Sequence, residues 1–460
     1  MELRPYQTSI IEQTRHHFRQ GTRCVLIESP TGSGKTLLAS TMLRTAAERG
    51  IPSVFTCHRR ELIKQTHLAF EKMNIGHGII GNGFHFSNRP MVQIASVQTI
   101  KNKLHQIRKP GLVIMDEVHH CPAKSWKKVY DAFPDAYIIG LTATPERLDG
   151  SGLNDFFPVM VKGPTVQNLI DNGYLSKYKL YAPANIDTSK FHTRMGDYVT
   201  AEVADAIDKP TITGDAIKEY QKYAAGKRAI VRGVSIEHSK HIAKQFTEAG
   251  IPAQHVDGTD SMIRRDMVMD SFRKGETLIL SNVDLFSEGL DVPSVECVID
   301  LRPTKSLTLA LQFWGRVLRP APGKEYAIII DHAGNCQRHG LPCDEREWNL
   351  EGRVKKPKQD NGPAIRLCPR CFGANQNWRK SCQYCGNEFT AQPREVAKKE
   401  GDLVEIDVLR KRRERQRTQA MCRTFDELVE FATERGYKSP KWWAGMIIKA
   451  REKKNEGDDL

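Results

Sequence analysis

The chain has 460 residues, 39% of them hydrophobic and 27% charged, with a formal net charge of +14. That length exceeds what one hydrophobic core serves and points to two to four domains. The composition is that of a soluble globular protein. No apolar run approaches a membrane span, Met1 leads straight into polar sequence without a signal-peptide pattern, and the eleven cysteines follow no secretory framework, so export is argued against and a cytoplasmic location is expected.

Leu3-Arg4-Pro5-Tyr6-Gln7 precedes a helix whose apolar positions include Ile10, Ile11 and Phe18. The Gln7 amide donates and accepts together, which suits the edge of an adenine upstream of a phosphate loop. Cys24 to Ile27 reads as a buried strand and Thr36 to Leu43 as a helix. Between them lies Glu28-Ser-Pro-Thr-Gly-Ser-Gly-Lys-Thr36. In such a loop the backbone N–H groups of Thr31, Gly32, Ser33 and Gly34 and a helix N-terminus surround phosphates. Lys35 reaches the β/γ oxygens and Thr36 takes Mg²⁺. Ser29 stands where the usual pattern has its first glycine, so the strand–loop–helix context carries the assignment. A nucleoside triphosphate is the expected ligand.

Ser53 to Cys57 is a second strand, running into His58-Arg59-Arg60 and a helix. Val92 to Ala95 ends at Ser96-Val97-Gln98-Thr99. Both place polar or basic groups on one rim of a parallel sheet, where open α/β sheets bind ligands. Leu112 to Met115 delivers Asp116-Glu117-Val118-His119 to the same rim. Asp116 suits a Mg²⁺ held through water, and Glu117 an attacking water to be oriented or deprotonated. Tyr137 to Leu141 ends at Thr142-Ala143-Thr144. The alternation indicates a doubly wound sheet.

The pattern restarts near Gly163-Pro164. An outer strand is expected within 175–185, and a loop or variable insert over 186–210. A second α/β set follows, with strands at 228–231, 253–256, 278–281 and 295–300. A helix from Leu309 to Val317 comes next, and a strand from Tyr326 to Asp331 is expected to close the sheet. This half lacks a phosphate loop but offers Gln312-Phe-Trp-Gly-Arg316-Val-Leu-Arg319. Two arginines three apart are expected to share a helix face, either in structural salt bridges or reaching across a cleft to a γ-phosphate.

This ordered set resembles the superfamily 2 helicases of the Asp-Glu-x-His type, most closely the RadD-like branch of bacteria and their phages, over about residues 3 to 335. The resemblance implies an α/β fold of two tandem RecA-like parallel-sheet domains and an ATP-driven motor on DNA. It gives Gln7 to adenine, Lys35 and Thr36 to phosphate and Mg²⁺, and Asp116 and Glu117 to metal and water. His119 and Gln312 would link the domains, Thr142 and Thr144 would couple hydrolysis to movement, and Gly289 and Asp291 would lie near the ribose. Arg316 and Arg319 would stabilise the transferring phosphoryl group. Arg59, Arg60, Ser96, Gln98, Thr99, Ser235 and Asn282 would line the nucleic-acid track. Asn282 is a departure, since many relatives carry a threonine in that region.

In the last quarter, Cys368-x₂-Cys371 and Cys382-x₂-Cys385 are separated by ten residues. Four thiolates so spaced suit a structural Zn²⁺. Arg370, Trp378, Arg379, Lys380 and Tyr384 would equip this ribbon for nucleic acid, though a purely structural module fits equally. His332, Cys336, His339 and Cys343 are too irregularly spaced for a second metal site. A lysine-rich, flexible linker precedes the ribbon. A basic run, Arg410 to Arg417, follows it and is read as helix. Phe425, Leu428, Val429 and Phe431 are expected to form a small core, and Trp442-Trp443 to pack there rather than stack on bases.

The expected domains are 1–163 and 164–345 for the two RecA-like units, 346–362 for the linker, 363–392 for the ribbon and 393–460 for a basic helical region. ATP, Mg²⁺ and Zn²⁺ are the expected cofactors and DNA the partner, with further proteins recruited by the tail and RNA disfavoured. Two alternatives stay open: a duplex translocase or branch remodeller that does not separate strands, and a binding module switched by ATP.

Overall fold

Two all-parallel sheets organise the motor part of the chain. The computed structural model describes residues 2–57, 60–81, 83–120, 123–147, 150–182, 188, 191–194, 196–208, 210–283, 295–352, 365–389, 422, 424–434, 440–441, 444–445 and 447–448. Residues 1–389 form one compact unit and 390–460 another.

The first sheet comprises β1 (Cys24–Glu28), β2 (Ser53–Cys57), β3 (His77–Ile80), β4 (Val92–Ser96), β5 (Leu112–Asp116), β6 (Tyr137–Thr142) and β7 (Val159–Lys162). Their order is β3-β4-β2-β5-β6-β1-β7. β1, β2 and β4 are buried throughout, because helices cover both faces of a parallel sheet and leave no polar side. Side chains alternate between two cores: Val25 and Ile27 join Leu38 and Phe55 on one face, while Cys24 and Leu26 join Val54 and Val113 on the other.

From β7 the chain crosses through the helix Val166–Asp171 into β8 (Tyr178–Tyr181). A short hairpin of β9 (Thr193–Arg194) and β10 (Asp197–Tyr198) follows, then helices Thr200–Ile207 and Pro210–Ala224. The second sheet continues with β11 (Ala229–Arg232), β12 (Ala253–His255), β13 (Ile279–Asn282), β14 (Cys297–Asp300) and β15 (Ala327–Asp331), in the order β12-β13-β11-β14-β15-β8. Two expectations are corrected here. β15 does not close the sheet, since β8 lies outside it. The stretch 186–210 carries a hairpin and a helix, and it is tied down by Asp197, whose carboxylate accepts from Thr304 Oγ1 at 2.9 Å and the Lys305 N–H at 2.7 Å.

The two Cys-x₂-Cys turns sit around β16 (Ile365–Leu367) and β17 (Ala374–Gln376), an antiparallel pair. This ribbon is docked on the exposed edge of β8. The Ala182 N–H donates to Phe372 O (3.0 Å), the Leu180 N–H to Tyr384 Oη (3.1 Å) and Tyr223 Oη to Cys371 O (3.0 Å). Tyr181 stacks on Tyr223 with centroids 3.9 Å apart. A Cβ on Gly373 would lie 2.1 Å from the Tyr384 ring, so only glycine permits this approach. The ribbon thus covers an edge that would otherwise present unpaired backbone groups.

Residues 346–352, at the start of the expected linker, are held in place. Arg346 gathers the preceding turn, donating to the carbonyls of Asp344 (2.7 Å), Leu341 (2.8 Å) and His339 (3.2 Å). Leu350 O then accepts the N–H groups of Leu153 and Asn154, and Ser151 bridges to Gly352. This strap returns the chain from the second lobe to the first. In the 390–460 unit, Thr424 and Glu427 form a reciprocal capping box for the helix Phe425–Glu434. Leu428 and Phe431 are buried there, whereas Phe425 is exposed. The basic run 410–417 and Trp442-Trp443 lie outside the described residues. Among the described residues no helix is long and apolar enough to cross a membrane.

Candidate nucleotide site and domain interface

The rim of the first sheet gathers the groups that sequence reading assigns to phosphate chemistry. In register, Glu28 at the end of β1 pairs with Thr142 on β6, and Asp116 on β5 pairs with Leu141. The loop after β1 closes on itself through Ser29 Oγ and Ser33 Oγ at 2.7 Å. Ser29 therefore has a role where a glycine is usual: it ties the two ends of the turn. The Lys35 ammonium donates to Ser29 O at 3.1 Å and lies along the inside of the loop. Gln7 is buried, with its amide donating to Ser33 O (3.1 Å) and accepting from the Arg4 N–H (3.0 Å). Tyr6 Oη donates to the same Ser33 carbonyl. The first helix is thus fastened directly to the phosphate loop.

A cavity of about 630 Å³ opens at this rim. Thr31, Gly32, Gly34, Lys35, Thr36, Asp116 and Glu117 line it from the first lobe, and Arg316 and Arg319 from the second. Arg4 and Tyr174 add to the wall, the Arg4 guanidinium lying 4.3 Å from the Tyr174 ring centroid. Sequence reading misses both; Arg4 lies in the quoted Leu3–Gln7 stretch, whereas nothing near Tyr174 marks it. Glu117 adopts φ 49°, a left-handed conformation that a glutamate holds only when its surroundings enforce it.

A hydrogen-bonded relay joins the lobes beside this cavity. Gln312 Nε2 lies 3.1 Å from His119 Nε2, and His119 Nδ1 lies 2.8 Å from Thr142 Oγ1, which donates to Thr144 O at 2.8 Å. An amide nitrogen can only donate, so His119 Nε2 accepts and Nδ1 carries the hydrogen toward Thr142. All four residues are essentially excluded from solvent. Glu117 Oε2 stands 3.4 Å from His119 Nδ1. The carboxylate therefore lies against the same imidazole that meets Gln312 of the second lobe.

The helix Leu307–Val317 carries Gln312 and Arg316. It packs so closely on the phosphate loop that a Cβ on Gly315 would lie 2.7 Å from Thr31 Cβ. Arg319 lies beyond the helix end, so the two arginines line one cavity without sharing a helix face. Lys324 caps that end, donating to Val317 O and, at 2.8 Å, to Arg319 O; burial lowers its ammonium pKa to about 8. Beneath the helix, Arg232 pairs with Asp300 through bonds of 2.8–3.0 Å, with both side chains buried. Asp300 also accepts from Trp314 Nε1 (3.2 Å) and Asn335 Nδ2 (3.0 Å).

The residues expected on a nucleic-acid track are dispersed over strand ends. Ser96 closes β4, its Oγ donating to Gln98 Oε1 at 2.9 Å, and Thr99 follows on the next turn. Ser235 caps the helix Ile236–Glu248 by accepting the His238 N–H. Asn282 is 1% exposed and donates to Val231 O, so it braces the sheet rim instead of facing solvent. Arg60 begins the helix Arg60–Lys72; Arg59, Gly289 and Asp291 lie outside the described residues.

In the ribbon, Cys368 Sγ lies 3.6 Å from Cys385 Sγ, and Cys371 Sγ lies 3.6 Å from Cys382 Sγ. All four sulfurs converge within 4.8 Å of one another. Tetrahedral thiolates around zinc at the usual bond length are separated by about 3.8 Å, so the donor set fits that ion. Trp378 is 72% exposed beside Arg379. Tyr384, expected among the nucleic-acid groups, instead faces β8. Of the irregular His/Cys group, Cys343 Sγ takes Tyr178 Oη and His339 Nε2 meets Thr304 O.

Comparison with known proteins agrees with this architecture. Residues 1–147 match the family described as Type III restriction enzyme, res subunit, and residues 212–321 the Helicase conserved C-terminal domain. A 51.5 kDa protein of Lactococcus phage (isolate 7-9) is 40% identical over 369 residues, covering 80% of this chain and 78% of the phage protein. Saccharomyces cerevisiae IRC3, assigned as an ATP-dependent helicase, is 29% identical over 72% of this chain and 51% of its own length. The DNA 3'-5' translocase XPB2 of Sulfurisphaera tokodaii is 25% identical over 72% of this chain and 81% of its own. A fragment of a Vibrio vulnificus protein assigned as the HsdR subunit of a type I restriction enzyme shares the fold, with TM-score 0.58 and 20% identity over 76% of this chain and 67% of the fragment. The chain belongs to the superfamily 2 helicases.

Proposed function

We propose that this protein is an ATP-dependent DNA helicase or translocase whose two lobes close on nucleotide and reopen after hydrolysis. One observation carries the reading: Lys35, Thr36, Asp116 and Glu117 of one lobe share a cavity with Arg316 and Arg319 of the other. Lys35 and the loop N–H groups would hold the phosphates and Gln7 the base. Thr36 and Asp116 would hold Mg²⁺, which neutralises phosphate charge when bound. Glu117 would orient the attacking water, and Arg316 and Arg319 would meet charge that develops on the γ-phosphoryl oxygens.

The His119 relay gives this chemistry a mechanical output. Closure sets Gln312 against His119, whose imidazole touches both Glu117 and Thr142. Catalytic alignment and lobe position then share one hydrogen-bond chain, a two-state element of hinge type. DNA is the assigned track because of the resemblance to DNA-acting relatives and the basic charge. Contacts to phosphate imply low sequence specificity and strong salt dependence. The Cys₄ ribbon would hold a structural Zn²⁺, and a cytoplasmic site of action follows from this role.

Steady-state ATPase measured without nucleic acid and with single-stranded, duplex or forked DNA or RNA, at two salt concentrations, tests the proposal. Stimulation by DNA that weakens with salt is expected. RNA stimulation alone, or none at all, would overturn the DNA motor. A duplex-tracking mode stays open because no long insertion between Pro293 and Gln312 offers a strand-separating hairpin; stimulation chiefly by duplex would select it.

A further inference from the structure

The helix Arg60–Lys72 lines the nucleotide cavity with Leu62, Gln65, Thr66 and Ala69. Its far end turns at Asn74, which takes φ 54°, and feeds β3. Three side chains meet across this turn: His67 and Glu71, one helical turn apart, and His77, the first residue of β3. One ligand atom from each lies within 4.8 Å of the other two.

The hydrogen-bond pattern defines the state of the His77 imidazole. Its Nδ1 is 2.7 Å from Ile75 O, and a carbonyl can only accept, so Nδ1 carries the hydrogen. The Nε2 lone pair then points at His67 Nδ1, 2.7 Å away. Phe70 packs edge-on against the His77 ring at 5.4 Å and fixes its plane. An imidazole held through one nitrogen by a backbone carbonyl, with its other nitrogen facing a second imidazole and a carboxylate within 4.8 Å, has the supporting arrangement of a metal-ligating histidine.

We propose that His67, Glu71 and His77 form a divalent transition-metal site, fitted to Zn²⁺, that pins the nucleotide-lining helix to β3. The two imidazoles prefer zinc and its neighbours to Mg²⁺ or Ca²⁺, and a carboxylate completes a donor set that zinc accepts. Three protein donors leave a fourth, solvent-facing position for water. Two imidazole nitrogens on one tetrahedral zinc stand about 3.4 Å apart. Binding therefore widens the present His67–His77 contact, shifts the His67 hydrogen from Nδ1 to Nε2 and replaces a shared hydrogen with the ion. This site is separate from the Cys₄ ribbon and does not depend on the motor reading.

The test is calorimetric titration of ZnCl₂ into full-length protein whose ribbon has first been saturated with one equivalent of Zn²⁺, comparing wild type with Glu71→Gln and His77→Gln. Wild type is expected to take up one further equivalent. Glu71→Gln, at an exposed position, should weaken that step at least tenfold, and His77→Gln should abolish it. Zn²⁺ should also raise the melting temperature of wild type above that of the saturated ribbon form, and not that of His77→Gln. The proposal is overturned if wild type takes no further equivalent, or if Glu71→Gln and His77→Gln bind it as tightly as wild type. Should His77→Gln fail to fold, the Glu71→Gln comparison decides alone.

Discussion

The rims of the two sheets are built alike and used oppositely. In the first sheet, Asp116 and Glu117 leave the strand end and enter a solvent cavity with Lys35. In the second, Arg232, Asn282, Asp300 and Asp331 occupy corresponding strand ends in register, yet each is buried. Arg232 and Asp300 neutralise one another, and Trp314 and Asn335 take up the carboxylate's remaining capacity. On the proposed reading the first rim does chemistry, and the second holds the helix that brings Gln312, Gly315 and Arg316 to it. Polar strand ends in an open α/β sheet are therefore no guide to which lobe binds ligand until their partners are known.

The sharpest way to break this comparison is at a charged side chain that the second lobe sends into the cavity. Arg316→Ala should reduce ATP turnover by on the order of 10³–10⁵ while nucleotide binding persists; near-normal steady-state turnover would show that Arg316 contributes no charge to the reaction. Asp300→Ala leaves Arg232 buried without its carboxylate, at a cost of about 3–5 kcal/mol in denaturant unfolding. The double change Arg232→Met, Asp300→Leu should recover much of that stability but not full kcat, because the helix loses its anchors. Recovery of both would reduce the buried pair to a mere filler.

A subtler effect separates the rims by pH. Burial raises the Glu28 carboxyl to about 7, against the opposing pull of Lys35 and Lys162. The folded state then retains a proton between roughly pH 4.5 and 7 that the unfolded chain has released, so stability falls as pH rises through that window. Glu28→Gln should flatten this part of the stability profile, by on the order of 3 kcal/mol across it. Smallest of all, Lys64→Ala removes the exposed contact to Asp266 that spans the lobes at 3.1 Å. Thermal unfolding should shift by no more than about 1 kcal/mol.

Much of this architecture is legible in the amino-acid sequence. The phosphate loop, the Asp116-Glu117 strand and the four cysteines are local patterns whose chemistry depends on neighbours along the chain. The tandem parallel sheets follow from strand–helix alternation and fully apolar strands. What escapes depends on register and docking. Arg232 and Asp300 are 68 positions apart and meet only because β11 lies beside β14. β8 is read as an outer strand, but that its neighbour is β15, some 150 residues further along the chain, is set by packing of the second lobe. Tyr384 has the composition of a nucleic-acid platform, but its hydroxyl is taken by the backbone of β8. Arg319 reads as helical because three-residue spacing cannot reveal that Lys324 ends the helix first.

The strap from Leu341 to Gly352 also changes what kind of motion the lobes can make. The polypeptide passes from the first lobe to the second between β7 and β8, and the strap brings it back to Leu153 and Asn154. A body attached at a single point can swing, twist and slide. One attached at two points retains only rotation about the line that joins them. If the lobes close on nucleotide as proposed, the second attachment narrows that motion toward a single degree of freedom, like a door on a pair of hinges.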